Sequence, residues 1–325
     1  MGVAVLSPLF GRQTKTFIDP SRGDAEASRL RAAVESRDWR EVDQAMGGAN
    51  EPLRREFLVD AVSQQSGDPA WADPWINEQP NSATARLMWG ACAAQYAWKV
   101  RTGAVPQHVA PDRMAGFHQW LMNAGEQLRN ATQLAPGDSA PWVNLLWCAV
   151  GLGAPYEEAR ECWEGAFQRN PETELGAMAY TTYVGPRWNG TAELMWEFVH
   201  ERVSSLPEGS PLWFLVPHAH LEQWVAERME QATKDHAARY FHEPQVHAEI
   251  NEAYLKYLAS PSRRPSYLEP QHRELFAGCF YMMGMRDLLR KELELVGPGI
   301  QTLPWGFMGP SLDAYKRARE SAGLK

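Results

Sequence analysis

The chain has 325 residues, of which 44% are hydrophobic and 22% charged, with a formal net charge of -8. This composition suits a soluble, largely helical body able to bury a large core, and the length alone suggests about two globular domains. The acidic balance speaks against a nucleic-acid or anionic-membrane surface, since both want clustered Lys and Arg, and the small basic spot at Arg263-Arg264 is explained by a solvated loop.

The opening GVAVLSPLFGRQTKTFIDP holds a short apolar run broken by Pro8, with no basic region before it, so it reads as neither a signal peptide nor a membrane span. Gly2 invites myristoylation, but that signal wants Ser or Thr where Leu6 stands. Residues 1–22 are therefore read as a mobile or docking arm. Asp24 to Met46 predicts a helix with Leu30, Ala33 and Val34 inward, a turn at Arg37-Asp38, and a second helix carrying Trp39, Val42 and Met46 up to Gly47-Gly48. Pro52 to Ser66 predicts a third, burying Leu53, Phe57, Leu58, Ala61 and Val62. The loop GDPAWADPWINEQPNS holds Trp71 and Trp75, expected to tuck against the helices because each ring covers roughly 150–250 Å² of apolar surface. Ser82 to Arg101 is a long helix with small and apolar residues around much of its circumference, which argues for burial between neighbours. After the loop TGAVPQHVAPD, Arg113 to Leu134 continues with Phe117, Trp120, Leu121, Ala124, Leu128 and Ala131.

The stretch from Pro136 to Pro171 organises the chain. Asp138 and Ser139 suit the cap of a helix whose first turn holds Pro141, and the stripe Trp142, Leu145, Leu146, Ala149 follows before Gly151, Gly153 and Pro155 end it. A second helix presents Ala159, Trp163, Ala166 and Phe167, and Asn170-Pro171 stops it. The unit recurs. Upstream, Ala124, Leu128, Ala131 and Pro136 repeat the pattern, a step of 35 between Pro136 and Pro171; downstream, Pro207 stands 36 further on and Trp213 follows it as Trp142 follows Pro136. This pattern resembles the tetratricopeptide repeat, although Met195, Val199 and Arg202 depart from it in the downstream copy. The resemblance implies an all-α fold, a right-handed α-solenoid of helix-turn-helix pairs over residues 23–230, with 231–325 continuing as helical pairs and a capping tail.

A second resemblance rests on Trp75, on Ala85-Arg86-Leu87, on the run Tyr96-Ala97-Trp98-Lys99-Val100-Arg101-Thr102-Gly103, and on Pro186-Arg187-Trp188-Asn189-Gly190-Thr191. Over roughly residues 30–215 the chain resembles one uncharacterised bacterial family, a domain of unknown function, with Asn189 where that family more usually has Gly. It implies a tetratricopeptide-like fold and supplies no activity. Within GPRWNGT, Gly185 and Pro186 end the helix Glu172 to Val184, Gly190 supplies a turn and Thr191 caps the next helix, with Glu193 favouring its dipole. Arg187 and Trp188 have two readings: a Trp wedged between repeats with Arg stacked or paired beside it, or a ligand-binding corner.

From Pro211 a helix carries Leu212, Leu215, Leu221, Trp224 and Met229, with a kink expected at Pro217. His218 and His220, two apart on a helix, cannot share a face, and His242 and His247 do not have zinc-helix spacing. His218 with Glu222 and Glu243 with His247 have four-residue spacing that would suit two halves of a carboxylate-rich metal site; such pairs are equally ordinary on helix surfaces. Helices at Gln245 to Leu258 and Glu269 to Leu295, the latter broken near Gly284, end the body; Phe276, Phe280, Leu289 and Leu293 form their core. The tail GPGIQTLPWGFMGP should lie over the last repeat, and Lys316 to Lys325 reads as a polar cap.

Cys92, Cys148, Cys162 and Cys279 lie in apolar patterns without a Cys-x-x-Cys pair, as reduced core residues of a cytoplasmic protein. No phosphate-binding Gly-rich loop, nucleophile elbow or dinucleotide fingerprint is present. The leading expectation is a binding scaffold without cofactor, whose concave face takes a protein or peptide of apolar or mixed character through Asn144, Tyr180, Arg187, Trp188, Trp213 and His218. The alternative is an enzyme or small-molecule-binding protein with a Trp/His-lined pocket in the C-terminal half, using His218, Glu222, Glu243 and His247 as polar or metal-binding groups.

Overall fold

The computed structural model describes residues 15–64, 67–101 and 110–324. Most of the arm, the loop 102–109 and part of the second motif lie outside these residues. The described chain is all-helical apart from two short strands, β1 (Phe17–Ile18) and β2 (Gly299–Ile300). Its helices are α1 (Ala25–Glu35), α2 (Trp39–Gly48), α3 (Pro52–Ser63), α4 (Asp73–Glu78), α5 (Ala83–Arg101), α6 (Pro111–Leu134), α7 (Ala140–Leu152) and α8 (Tyr156–Arg169). They continue as α9 (Glu174–Val184), α10 (Ala192–Ser204), α11 (Leu215–Met229), α12 (Lys234–Ala237), α13 (Pro244–Lys256), α14 (Glu269–Met283), α15 (Arg286–Val296) and α16 (Ser311–Ser321).

Local chemistry explains many of the boundaries. Asp24 caps α1 by accepting from the Ala27 amide, Thr173 caps α9 at Gly176, and Thr191 caps α10 at Leu194. Gly284, at φ +72, stops α14 where the sequence expects a break. Gly190 is required by close approach, because a Cβ there would stand 2.0 Å from the Val184 carbonyl oxygen. At α7 the capping differs from expectation. Asp138 accepts from the Ala140 amide, whereas the Ser139 hydroxyl donates instead to Glu56. Pro217 does not kink a helix either: Pro211–Phe214 form a separate 3-10 turn, and Pro217 falls in the first turn of α11, where its missing amide costs little.

Packing is serial. Each of α3, α5, α7, α9 and α11 packs on the next odd-numbered helix, while α6, α8 and α10 each pack between two of them. Trp71 and Trp75 are buried as expected, but on a 3-10 turn and α4 instead of a plain loop, with Trp75 stacked on Trp39 at 5.6 Å. The ends of the described chain then meet. β1 pairs in parallel with β2, and buried Arg22 donates to Gln271 (2.7 Å) and Asp60 (2.8 Å). Phe57 of α3 stacks on Tyr267 at 5.5 Å. Residues 17–22 of the expected arm are thus docked against the body. The tail does lie over the body, as read: Trp305 is buried and donates to Glu274. The polar cap begins earlier, as α16, and buries Ala314, Tyr315 and Ala318.

Candidate functional site

Most of the residues expected on a concave surface are core residues. Asn144 is buried and donates to the Ala140 carbonyl of its own helix (2.9 Å). Tyr180 is buried, stacked on Trp163 at 5.5 Å and edge-on to Phe198. His218 is buried with Nε2 at 3.2 Å from the Thr182 hydroxyl, and burial pushes its pKa below the ordinary value against the pull of Glu222. Serial helix packing combined with the meeting of α3 with α9 covers these side chains, so a partner would have to open the core to touch them.

Arg187 and Trp188 sit elsewhere, in a corner where the two flagged motifs converge. Arg187 forms a bidentate pair with Glu222 (2.8 and 2.9 Å), whose side chain is only 1% exposed. Trp188 meets Trp98 of α5 edge-on at 5.3 Å, and Asn189 donates to the Val150 carbonyl of α7 (3.1 Å). Glu222 is therefore an arginine partner. The four-residue metal arrangement is not formed: Glu243 pairs with His236 (2.9 Å), and His247 donates to the Phe241 carbonyl (2.7 Å). Among the described residues no group of three or more His, Cys, Asp or Glu is placed to hold a metal ion. The four cysteines are free thiols, and burial pushes Cys148 and Cys162 up to about 12.

Trp213 does reach a surface cavity. A groove of about 350 Å³ runs between α10, α11 and α13, lined by Trp196, His200, Trp213, Glu249, Glu252 and Lys256 among others. His220, on the opposite side of α11 from His218, underlies it. Its Nδ1 is 2.8 Å from the Tyr240 hydroxyl, its Nε2 is 3.1 Å from Glu249, and its ring is edge-on to Trp196 at 4.7 Å. The His220 contact holds the Glu249 carboxyl below its ordinary range, with Gln245 and His200 helping and burial opposing. Lys256 lies across the groove wall, its ammonium 4.5 Å from the Trp213 ring centre and 2.7 Å from Glu252. Aromatic faces beside carboxylates make a wall complementary to a cation.

Of this set the sequence reading singled out Trp213 alone. Glu249, Glu252 and Lys256 recur at three- and four-residue spacing on one helix, and Trp196 with His200 repeats the spacing on α10. That was the available signal. No protein-family model matches the chain, and no curated protein matches it. Among the described residues no helix is long and apolar enough to cross a membrane.

Proposed function

We propose that the chain is a binding scaffold: a tetratricopeptide-like right-handed helical array, akin to the uncharacterised bacterial family its motifs resemble, that seats a peptide segment of a partner protein in the α10–α11–α13 groove. The segment carries a Lys or Arg side chain. Lys256 carries this reading, because the groove already holds a cation by the two forces a partner's side chain would use, a ring face and a carboxylate. The serial packing of alternate helices supports the array, and four free thiols suit a reducing compartment.

Tryptophan fluorescence during titration with an acetylated lysine-rich hexapeptide tests the proposal, with a glutamate-rich hexapeptide as control. A saturable response to the lysine peptide alone, weakened by Glu249→Gln, is the expected result. An equal response to both peptides, or a response that Glu249→Gln leaves unchanged, overturns the groove as the site.

A further inference from the structure

The corner beside Trp188 holds two hydrogen-bond donors that have no acceptor among the described residues. Arg101, the last residue of α5, is 9% exposed, and its guanidinium lies 5.4 Å from the Trp98 ring centre, 5.6 Å from Phe117 and 5.4 Å from Trp188. Its contacts are these three rings; among the described residues no hydrogen bond or ion pair engages it. Nor does an undescribed side chain supply a counter-ion, because every Asp and Glu of the chain falls among the described residues. The indole Nε1 of Trp188, a buried atom, has no acceptor among the described residues. Burial, and after it the neighbouring Arg187, pulls the Arg101 pKa down; Arg187, its guanidinium 5.2 Å from the same Trp188 ring, is itself paired with Glu222.

Each fact has a cost. A buried donor such as the Trp188 indole N–H is destabilising without an acceptor, and a largely buried arginine side chain usually finds a carboxylate. Elsewhere in this chain that is what happens: Arg187 has Glu222, Arg273 has Glu292 and Arg22 has Asp60. Arg101 is held between rings that stabilise its charge and leave its N–H groups uncommitted.

The geometry points to an oxyanion-binding site at this corner, in which Arg101 and the Trp188 indole N–H donate to the oxygens of a phosphate or carboxylate group. The fork of a guanidinium matches two oxygens of either group, and a single indole N–H adds a third bond. This site is separate from the α10–α13 groove and opposite to it in ligand charge, so it stands or falls independently of the peptide reading.

The test follows the indole N–H resonance of Trp188, assigned by its loss in Trp188→Phe, during titrations with inorganic phosphate and with acetate, each against chloride at matched ionic strength. A saturable downfield shift in one or both arms is expected, and the arm that saturates first identifies phosphate or carboxylate as the preferred group. Arg101→Lys, which keeps the charge but loses the fork, should weaken that binding on the order of tenfold. Arg101→Met should abolish it while unfolding at an unchanged or higher temperature, since an unpaired buried charge is removed. No saturable shift in either arm, or a shift that Arg101→Met leaves intact, overturns the proposal.

Discussion

Glu222 and Glu56 are both buried carboxylates between helices, and the chain stabilises them in opposite ways. Glu222 has a guanidinium: Arg187 grips both oxygens, so the pair carries its own compensation. Glu56 of α3 has only neutral donors, the Ser139 hydroxyl (2.5 Å), the Asn170 amide (2.9 Å) and the Thr173 hydroxyl (2.8 Å). Burial outweighs them and pushes its pKa up to about 7; nearby Glu174, which accepts from Ser266, goes to about 8 for the same reason. His272, 3.3 Å from Glu174 and stacked on Phe214 at 4.2 Å, is held neutral by burial. A paired charge makes a junction insensitive to pH, whereas carboxyls held by neutral donors make the junction of α3, α9 and α14 answer to it.

The largest test of this contrast is Arg187→Met. Leaving Glu222 without its partner should cost about 3–5 kcal/mol in urea unfolding, and the double change with Glu222→Leu should recover much of that. A single variant within about 1 kcal/mol of the parent would show that the pair is not what holds the corner. Next comes Glu56→Ala, which orphans three buried donors; a loss of about 3 kcal/mol is expected.

The pH dependence sharpens the comparison further. The folded chain keeps the Glu56 and Glu174 protons up to about 7 and 8, while the unfolded chain releases them near the ordinary carboxyl value of 4.5. The folded state thus binds more protons, and stability falls as pH rises through this window. His272 acts in the opposite sense. Its folded pKa lies well below 6.5, so it withdraws stability only as pH drops below that value. Thermal unfolding should therefore show the melting temperature declining from pH 6.5 to about 8 and levelling off above that, with Glu56→Gln flattening the part of the decline below about pH 7. A flat parent profile would contradict the reading of the junction.

The smallest effects belong to the exposed pair in the groove. Lys256→Gln should change stability by less than about 0.5 kcal/mol yet raise affinity for the lysine-rich hexapeptide about fivefold, because the incoming cation no longer competes for Trp213 and Glu252. Calorimetric titration would read this directly, and an affinity that falls would mean that Lys256 contributes to the ligand instead of standing in its place.

Helix positions were legible because their causes are local. Asp24, Thr173 and Thr191 cap where a side-chain oxygen reaches the first turn, and Gly284 interrupts where a left-handed residue is needed. The same locality explains the misplacements: Ser139 looks like a cap until Glu56 of another helix takes its hydroxyl. The groove was half legible. Trp213 stood out as a repeat-position aromatic, whereas Glu249, Glu252 and Lys256 look like any solvated helix face until α10 and α11 are laid beside them. In the run Gln271-His272-Arg273-Glu274 all four polar residues are buried, which no hydrophobic pattern announces, because each finds its partner far away along the chain.

By itself the sequence determined an all-helical chain, most of its helix boundaries and the turn at Gly190, since caps, apolar periodicity and backbone sterics act within a few residues. Only the tertiary structure decided that Arg22 meets Gln271 across 249 positions, that β1 joins β2, and that the motifs around Trp98 and Trp188 share one corner. Those contacts rest on burial and hydrogen-bond satisfaction between distant segments, and no local period encodes which segments will meet.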